Sequence, residues 1–367
     1  SSEGPDIVKE KYFHGLLPRE DIKLMLPNPG DFIVRISEPT LGQPRQYILS
    51  VCVADSMAKH FVINKSPEGK YYIENFRFDS IKALIVYYQS GEISVTKSYQ
   101  CLIKNPIGKM KWELDHANIT VTKKLGEGAF GEVSLGKLRR KGKPDLQVAI
   151  KLAKLEALTK EQIKEIMREA RLMRGFNCPF VVRLYGVAAA AEPLMLVMEL
   201  ASNGSLNSYL EKNSVPENTK NEMCLQASWG VEYLHSKNII HRDIAARNCL
   251  YGDGKVKISD FGMSREGPMY RMDPKRRAPI RWLAPETITT TTFTYKSDVY
   301  AYGIMCWEIY HNGKEPFPNM VPAEVVPFVL GGNKMPFDVA INSDVKALIT
   351  DKIWIAHEER YTQDTVS

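Results

Sequence analysis

The residues best suited to chemistry lie in one octapeptide, His241-Arg242-Asp243-Ile244-Ala245-Ala246-Arg247-Asn248. A positioned Asp243 can receive a proton from a hydroxyl group. The oxygens of Asn248, and of Asp260 further along, are ligands of the kind that Mg²⁺ prefers. Three glycines in residues 126–131 let backbone N–H groups approach a phosphate, because no side chain stands in the way. Residues of these types are suited to chemistry on a phosphate group that is held with a metal ion.

Residues 12–103 show a pattern of short strands between two helices. Proline and glycine separate the strand-like runs, and the second helical stretch brings Ile81, Leu84, Ile85 and Tyr88 to one face. The strands are predicted at 31–36, 46–53, 60–63 and 70–74, and the helices at 19–26 and 80–89. This order predicts an antiparallel sheet flanked by two helices.

Residues 104–118 are polar, contain proline and glycine, and are predicted to be a linker. About 15 residues reach at most ~50 Å when fully stretched, so the blocks on either side stay close together. Trp112 is an apolar residue in this polar stretch, and we expect it to pack on the block that follows. The alanine run 188–191 is interpreted as plain loop.

Composition excludes several classes of protein. Of the 367 residues, 44% are hydrophobic and 25% charged, which is typical of globular rather than disordered chains. The net charge of +6 is mild and no basic stripe is interleaved with aromatics, so we expect no nucleic-acid partner. Six scattered cysteines without a CxxC pair indicate reduced thiols and a cytoplasmic location. No apolar run reaches 18 residues, so no transmembrane segment is predicted, and a chain that starts at Ser1 is compatible with a fragment.

Residues 119–367 resemble a protein kinase. The glycines at 126–131 are followed by an alternating strand and then by Val148-Ala149-Ile150-Lys151, whereas a dinucleotide-binding motif would continue into a helix. The octapeptide matches the kinase catalytic loop H-R-D-x-x-x-x-N, and Asp260-Phe261-Gly262 and Ala284-Pro285-Glu286 stand at the expected distances after it. The resemblance implies a bilobal fold, with a β-rich N-lobe and a helical C-lobe, and ATP and Mg²⁺ as cofactors.

The kinase resemblance also implies a role for each matched residue. Asp243 would orient the substrate hydroxyl, and Lys151 would anchor the phosphates while paired with Glu169, for which Glu161 and Glu165 compete. Arg247 would support Asp243, and Asn248 and Asp260 would bind Mg²⁺. The residues implied in ATP binding are Leu125, Gly126, Glu127, Gly128, Ala129, Phe130, Gly131, Val133, Ala149, Lys151, Met198 as gatekeeper, Glu199, Ala201 and Leu250.

Two features resemble tyrosine kinases more than serine/threonine kinases. Arg247 stands four residues after Asp243, and Pro279-Ile280-Arg281-Trp282 resembles the platform that leaves room for a phenol ring. A serine or dual-specificity kinase is the weaker alternative. Tyr270 lies between Asp260-Phe261-Gly262 and Ala284-Pro285-Glu286, near several cations, and is the predicted autophosphorylation site.

Residues 12–103 resemble a Src-homology-2 domain, which binds phosphotyrosine. Phe32-Ile33-Val34-Arg35-Ile36-Ser37 is similar to the family's F-L-V-R-E-S strand, with Ile36 in place of Glu. Arginine inside an apolar strand is costly unless it meets an anion, and its guanidinium fits a phosphate. Tyr12-Phe13-His14-Gly15 and His60-Phe61-Val62-Ile63 also match. The residues implied in phosphotyrosine binding are Arg19, Arg35, Ser37, Glu38, Thr40 and His60.

A Src-homology-2 block directly before a tyrosine-kinase block resembles the Fes/Fer family of non-receptor tyrosine kinases. The motifs that carry this resemblance are Tyr12-Phe13-His14-Gly15 at the start, Val197-Met198-Glu199-Leu200 at the hinge and Asp260-Phe261-Gly262-Met263-Ser264-Arg265-Glu266 in the activation segment. That resemblance implies tyrosine-containing protein substrates, phosphotyrosine proteins or peptides as partners, and peripheral membrane association through partners. An alternative is a phosphotyrosine adaptor whose kinase block is a catalytically weak scaffold. The upstream block is also expected to support the kinase in cis through the helix that carries Glu169.

The C-terminal region departs from the family pattern. Trp354 to Arg360 is one residue short of C-W-x(6)-R, Ile353 stands in place of Cys, and Tyr361 in place of Pro. Only seven residues follow Arg360, so the last helix of the lobe is predicted to be truncated. The shortening leaves the family's ion pair between Arg360 and Glu286 open.

Overall fold

The structure, a computed structural model, describes residues 6–38, 42–55, 57–128, 131–153 and 158–366. The chain divides into two compact units. The first consists of residues 1–174 and 184–200, and the second of residues 175–183 and 201–367. None of the described helices is long and apolar enough to cross a membrane.

The first unit begins with the expected sheet between two helices. Its strands are β1 (Asp31–Ser37), β2 (Gln46–Ala54), β3 (Met57–Lys65), β4 (Tyr71–Tyr72) and β5 (Asn105–Pro106), in the order β4-β3-β2-β1-β5. The helices are α1 (Arg19–Ile22) and α2 (Ile81–Ser90). All neighbouring pairs are antiparallel except β1–β5, which is parallel. The start of the predicted linker is therefore a strand of this sheet.

The first helix is shorter than the sequence pattern predicts. Residues 19–26 were expected to be helical, but α1 ends at Ile22. The next residues form a turn in which the N–H groups of Met25 and Leu26 both bond to the carbonyl of Ile22. Pro27 follows directly, and a proline disfavours helical geometry in the residue before it.

The second sheet of the first unit is antiparallel. Its strands are β6 (Ile119–Gly128), β7 (Gly131–Arg140), β8 (Lys143–Ala153), β9 (Leu184–Ala188) and β10 (Leu194–Glu199), in the order β6-β7-β8-β10-β9. Helix α3 (Lys160–Met173) lies between β8 and β9 in the chain. It begins with a capping box formed by Thr159 and Gln162, which satisfies amide groups that a helix start leaves open.

The α1 segment and α3 are joined by a buried acid. Asp21 is 2% exposed, and its carboxylate accepts hydrogen bonds from Arg171 (3.2 Å) and Arg174 (2.7 Å) at the C-terminal end of α3. The guanidinium of Arg174 also lies over the ring of Trp112, 3.3 Å from its centroid. Trp112 therefore packs at the end of α3, as the sequence led us to expect.

A second close contact involves the alanine run. Gly15 has a φ of +64°, and a Cβ at this position would meet the carbonyl oxygen of Ala189 at 2.1 Å. The amide of Leu16 donates to that same carbonyl at 3.0 Å. Residue 15 must therefore be glycine, because its backbone has a positive φ and because a side chain would collide with Ala189. The alanines, interpreted from sequence as plain loop, include the end of β9 and the buried Ala189.

The second unit is mainly helical. Its helices are α4 (Leu206–Lys212), α5 (Glu217–Ser236), α6 (Pro285–Thr290), α7 (Tyr295–Tyr310), α8 (Pro322–Leu330), α9 (Ser343–Leu348) and α10 (Gln363–Val366). Short strand pairs join β11 (Ile239–Ile240) with β14 (Arg265–Glu266), β12 (Cys249–Gly252) with β13 (Lys255–Ile258), and β15 (Met269–Arg271) with β16 (Thr292–Thr294). Helix α7 is buried over nearly all its length.

The pair between Arg360 and Glu286 is present despite the shortened C-terminal motif. Two nitrogens of Arg360 donate to the two carboxylate oxygens of Glu286, at 2.6 and 3.1 Å. The main-chain N–H of Arg360 donates to the carbonyl of Ala356, and its Nε donates to the carbonyl of Ile353. The resulting tight turn directs the Arg360 side chain toward the start of α7. The shorter spacing is absorbed in this turn, and the ion pair is kept.

Replacing Asp21 by Asn should destabilise the first unit by about 2–4 kcal/mol, because two partly buried guanidinium groups lose their anionic partner. Glu20→Gln is the matched control. Glu20 lies 3.9 Å from Lys164 with half of its side chain exposed, so its loss should cost less than about 0.5 kcal/mol. Thermal unfolding of both variants tests this, and equal stability of the two would contradict the role given to Asp21.

Candidate functional sites

Lys151 and Glu169 form an ion pair between β8 and α3. Lys151 Nζ lies 2.7 Å from Glu169 Oε1, and Glu169 is 4% exposed. The two competing acids are engaged elsewhere, since Glu165 pairs with Arg168 at 2.8 Å and Glu161 lies 3.8 Å from Lys164. Of the three candidates, Glu169 is the one that the structure brings to Lys151.

The glycine-rich segment is the hairpin between β6 and β7. Gly131 has a φ of +151°, and a Cβ there would lie 2.1 Å from the carbonyl oxygen of Leu152, so only glycine fits. Gly126 and Glu127 pair with Val133 and Glu132 across the hairpin. Ala129 and Phe130, also implied in nucleotide binding, lie outside the described residues.

The remaining residues implied in ATP binding belong to both units. In the first, Met198 lies opposite Ala149 in the β8–β10 ladder, both nearly buried, and Glu199 ends β10. Leu125, on β6, is about half exposed. In the second unit, Ala201 is buried and Leu250 lies on β12.

Asp243 is held by two neighbours from its own loop. Arg247 Nη2 donates to Asp243 Oδ1 at 2.5 Å, and Asn248 Nδ2 donates to the main-chain carbonyl of Asp243 at 2.9 Å. The guanidinium of Arg247 lies 4.0 Å from the ring centroid of Trp282. The two residues that the sequence linked to tyrosine kinases therefore contact each other, and Arg247 also contacts the carboxylate of Asp243.

Two buried acids of α7 hold the loop that carries Asp243. Asp298, 1% exposed, accepts hydrogen bonds from the amides of His241 (2.8 Å) and Arg242 (2.9 Å). Glu308 accepts from the amide of Ala246 (3.0 Å) and from the indole of Trp282 (3.0 Å). Burial raises the pKa of Glu308 to about 7, and these two donors oppose the rise.

Neither acid of α7 was given a role from the sequence. The signal for them is two carboxylates in a helix that is mostly apolar. Such carboxylates are costly to bury unless they are hydrogen-bonded, so their presence indicates buried donors nearby.

Asn248 and Asp260 are brought to one end of the β12–β13 ladder. The carbonyl of Asn248 accepts from the amide of Ser259 at 2.9 Å, so Asp260 follows directly. Because Asn248 Nδ2 donates to the carbonyl of Asp243, the side-chain oxygen of Asn248 can bind a ligand. Among the described residues, no group of three or more His, Cys, Asp or Glu forms an all-protein metal site. One carboxylate plus one amide oxygen fits Mg²⁺, which takes its other ligands from water and phosphates.

Tyr270 lies on β15 beside a buried arginine. Its ring centroid is 4.1 Å from the guanidinium of Arg242, which is 3% exposed. Arg242 donates through Nη1 to the carbonyl of Met263, while its Nε and Nη2 have no hydrogen-bond partner among the described residues. Burial, together with the nearby charge of Arg265, lowers the pKa of Arg242 to about 10. A buried cation with unused donors is suited to an anion.

Arg35 is oriented toward a cavity in the first unit. It is 2% exposed, with Nε donating to Ser50 Oγ (3.1 Å) and Nη1 to the carbonyl of Leu17 (3.2 Å). Burial, and then the charge of Arg19, lowers its pKa to about 10. The cavity has a volume of about 280 Å³. Its lining includes Arg19, Arg35, Ser37, Glu38 and His60, which are five of the six residues implied in phosphotyrosine binding. Thr40, the sixth, lies outside the described residues.

Burial and neighbouring cations favour a neutral His60. His60 Nδ1 forms a hydrogen bond of 2.9 Å with Ser50 Oγ, which also accepts from Arg35 Nε. Burial, followed by the charges of Arg35 and Arg19, lowers the pKa of His60 to about 4. At neutral pH the positive charge of the cavity therefore lies on its arginine and lysine side chains rather than on His60.

Two families match the sequence. Residues 119–366 match the family described as protein tyrosine and serine/threonine kinase, and residues 12–88 match the SH2 domain family. The fold expected for each block is thereby confirmed.

Curated relatives match nearly the whole chain. Fer-related kinase 1 of Caenorhabditis elegans is 37% identical over 366 residues, which cover 98% of this chain and 93% of the relative. Human tyrosine-protein kinase Fer is 35% identical over 359 residues, which cover 96% of this chain and 42% of the relative. The transforming protein Fps of an avian sarcoma virus is 34% identical over 320 residues, covering 86% of this chain and 58% of the relative. The chain thus spans about half the length of the human and viral relatives.

The imidazole of His60 should titrate near pH 4 rather than near 6.5, and NMR of the labelled ring measures this. Since the folded-state pKa lies below the unfolded one, the unfolded state binds more protons between these values. His60 therefore contributes stability that is present above about pH 6.5 and is lost as the pH falls toward 4. His60→Gln should flatten this part of the stability profile, and a midpoint near 6.5 would contradict the environment described.

Proposed function

This chain belongs to the Fer family of protein tyrosine kinases, and on that premise we propose how its residues share the work of phosphoryl transfer. The reaction uses ATP and a divalent metal ion and yields phosphotyrosine on a protein. The proposal depends most on two hydrogen bonds of Asp243. Arg247 donates to its carboxylate, and the side chain of Asn248 donates to its main-chain carbonyl. These bonds hold the carboxylate in one orientation, which supports its proposed role as acceptor of a hydroxyl proton.

Each residue has a distinct proposed task. Asp243 accepts the proton of the tyrosine hydroxyl, and Arg247 orients Asp243 and balances charge on the phosphoryl group. Lys151, kept in place by Glu169, binds the phosphates of ATP. The work is positioning and charge neutralisation, because phosphoryl transfer needs little covalent help from the protein.

The metal ion is proposed to be Mg²⁺, held by Asn248 and Asp260. When bound, it would neutralise negative charge on the phosphates of ATP. Asn248 supports this role because one end of its amide is tied to the carbonyl of Asp243, which leaves the oxygen directed elsewhere. Met198 at the back of the adenine site, and Glu199 and Ala201 as backbone partners of the adenine edge, complete the proposed ATP site.

Residues 12–103 are proposed to be the phosphotyrosine-binding domain, 104–118 the linker, and 119–367 the kinase domain. The partners would be phosphotyrosine proteins or peptides, bound through Arg35 with Arg19, Ser37, Glu38, Thr40 and His60. We place the protein in the cytoplasm, with peripheral membrane association through partners. The upstream domain and the linker would also support the kinase, since Asp21 of the domain and Trp112 of the linker both contact the end of α3.

Asp243→Asn should reduce kcat by about 10²–10⁴-fold while ATP binding is kept, because the amide cannot accept the proton. The measurement is phosphate transfer from Mg-ATP to a poly-Glu-Tyr peptide, with ATP affinity determined in parallel. A variant with more than about a tenth of wild-type kcat would rule out the role given to Asp243. An inactive wild type would favour the adaptor alternative.

Arg35→Leu should weaken phosphotyrosine-peptide binding by more than about 30-fold, because a charge-assisted fork to the phosphate is lost. Kinase activity on a peptide without phosphotyrosine should remain. The matched control is Arg77→Leu, at an arginine of the same domain that does not line the cavity. Its side chain is about half exposed, and its ionic contact with Glu68 is long, at 3.4 Å. Calorimetry that finds near-normal affinity for Arg35→Leu would argue against the site.

Tyr270→Phe should lower both phosphate incorporation and activation by preincubation with ATP. A phosphate on Tyr270 would carry about −1.5 to −2 charges beside Arg242, whose Nε and Nη2 have no hydrogen-bond partner among the described residues. Tyr99→Phe, at an exposed tyrosine of the upstream domain, is the control. Mass spectrometry should find Tyr270 phosphorylated first, and unchanged incorporation and activity in Tyr270→Phe would place the switch elsewhere.

A further inference from the structure

The cavity around Arg35 has a wall that does not come from the phosphotyrosine-binding domain. Lys160, Ile163 and Lys164, all on α3, line it together with residues of α1, β1, β2 and β3. Lys160 and Lys164 are four residues apart, so their side chains lie on the same face of the helix. Two ammonium groups from the kinase part of the chain therefore face the same space as Arg35.

The cavity has more positive charge than one phosphotyrosine can neutralise. Its lining contains five cationic side chains and two carboxylates, a net charge of +3; these are Arg19, Arg35, Arg45, Lys160 and Lys164 against Glu20 and Glu38. Phosphotyrosine carries about −1.5 to −2 charges. About one positive charge or more remains after it binds.

Part of this positive charge is located on α3. Lys164 Nζ makes two long ionic contacts, at 3.9 Å with Glu20 and 3.8 Å with Glu161, and neither is within hydrogen-bonding distance. Lys160 is the first residue of α3, where the positive end of the helix dipole disfavours a cation. Of the two carboxylates that line the cavity, Glu38 accepts a hydrogen bond from the amide of Gly42 at 2.7 Å. An additional anion beside the two lysines would give Lys164 a hydrogen-bonded partner. It would also offset the unfavourable position of Lys160 at the positive end of the helix dipole.

We propose that Lys160 and Lys164 form a second anion subsite that reads an Asp or Glu side chain next to the phosphotyrosine of the bound peptide. The kinase domain thus contributes part of the specificity of the phosphotyrosine pocket. This subsite rests on the proposed binding of phosphotyrosine by Arg35. To that binding it adds a preference for peptides with acidic residues beside the phosphotyrosine.

Calorimetry on residues 1–367 with two phosphopeptides tests the subsite. One peptide has Glu on both sides of the phosphotyrosine and the other has Ala on both sides. Wild type should bind the Glu peptide about five- to tenfold more tightly, as expected for two partly exposed charge contacts. Lys160→Ala/Lys164→Ala should reduce this ratio to within about twofold of one, while affinity for the Ala peptide changes by less than about threefold.

Two further variants serve as controls. Lys141→Ala/Lys143→Ala removes two exposed lysines near the β7–β8 turn and should keep the wild-type ratio despite the same change in net charge. Lys160→Arg/Lys164→Arg should also keep it, which shows that charge rather than helix stability is measured. The ratio should fall as salt is added.

Three outcomes would overturn the subsite. They are a wild-type ratio near one, a ratio kept in Lys160→Ala/Lys164→Ala, and an equal loss in Lys141→Ala/Lys143→Ala. Failure of phosphotyrosine binding itself is a separate result, because wild type would then bind neither peptide and Arg35→Leu would change nothing.

Discussion

The ion pair between Lys151 and Glu169 depends on where α3 lies, and much of the first unit serves to fix that helix. Lys151 is on β8, whereas Glu169 is on α3, which is a separate element of the chain. One face of α3 is buried through Ile163, Ile166 and Ala170. Its C-terminal end is held by Asp21, and the carbonyl of Leu158 just before its start accepts from Arg45 at 2.7 Å. The upstream domain supplies both of these end contacts.

Buried acids have a similar role in both units. Each carboxylate accepts hydrogen bonds from several donors and so holds the segments that carry those donors in place. Asp21 joins two arginines of α3 to α1, while Asp298 and Glu308 fix the loop of Asp243 through main-chain amides. A buried carboxylate is costly to desolvate and becomes tolerable only when all its partners are in place. Its removal therefore leaves unpaired donors as well as a lost contact, which makes such sites sensitive to mutation.

The sequence predicted the parts of the sites whose signal is local. The catalytic loop, Asp260-Phe261-Gly262, the Arg35 strand and the Glu169 helix each have a short motif or a helical spacing, and the sheet of the first domain followed from alternation and turns. The role of Asp21 could not be predicted, because its partners Arg171 and Arg174 lie 150 and 153 residues away in the chain. Arg360 shows the opposite case, where a departure from the motif spacing was compensated by a tight turn that only the tertiary structure reveals.

The shared wall formed by α3 also limits what a bound phosphopeptide can do to the kinase. A ligand shifts the position of a helix only by the difference in its affinity for the two positions. On the proposed roles, two partly exposed lysine contacts are worth about 0.2–1 kcal/mol each, which is at most about a 30-fold change in population. A complete switch from 1:99 to 99:1 needs about 5.5 kcal/mol. Phosphopeptide binding through α3 would therefore tune activity, and the larger share of activation would have to come from elsewhere, for which a phosphate beside the buried Arg242 is suited.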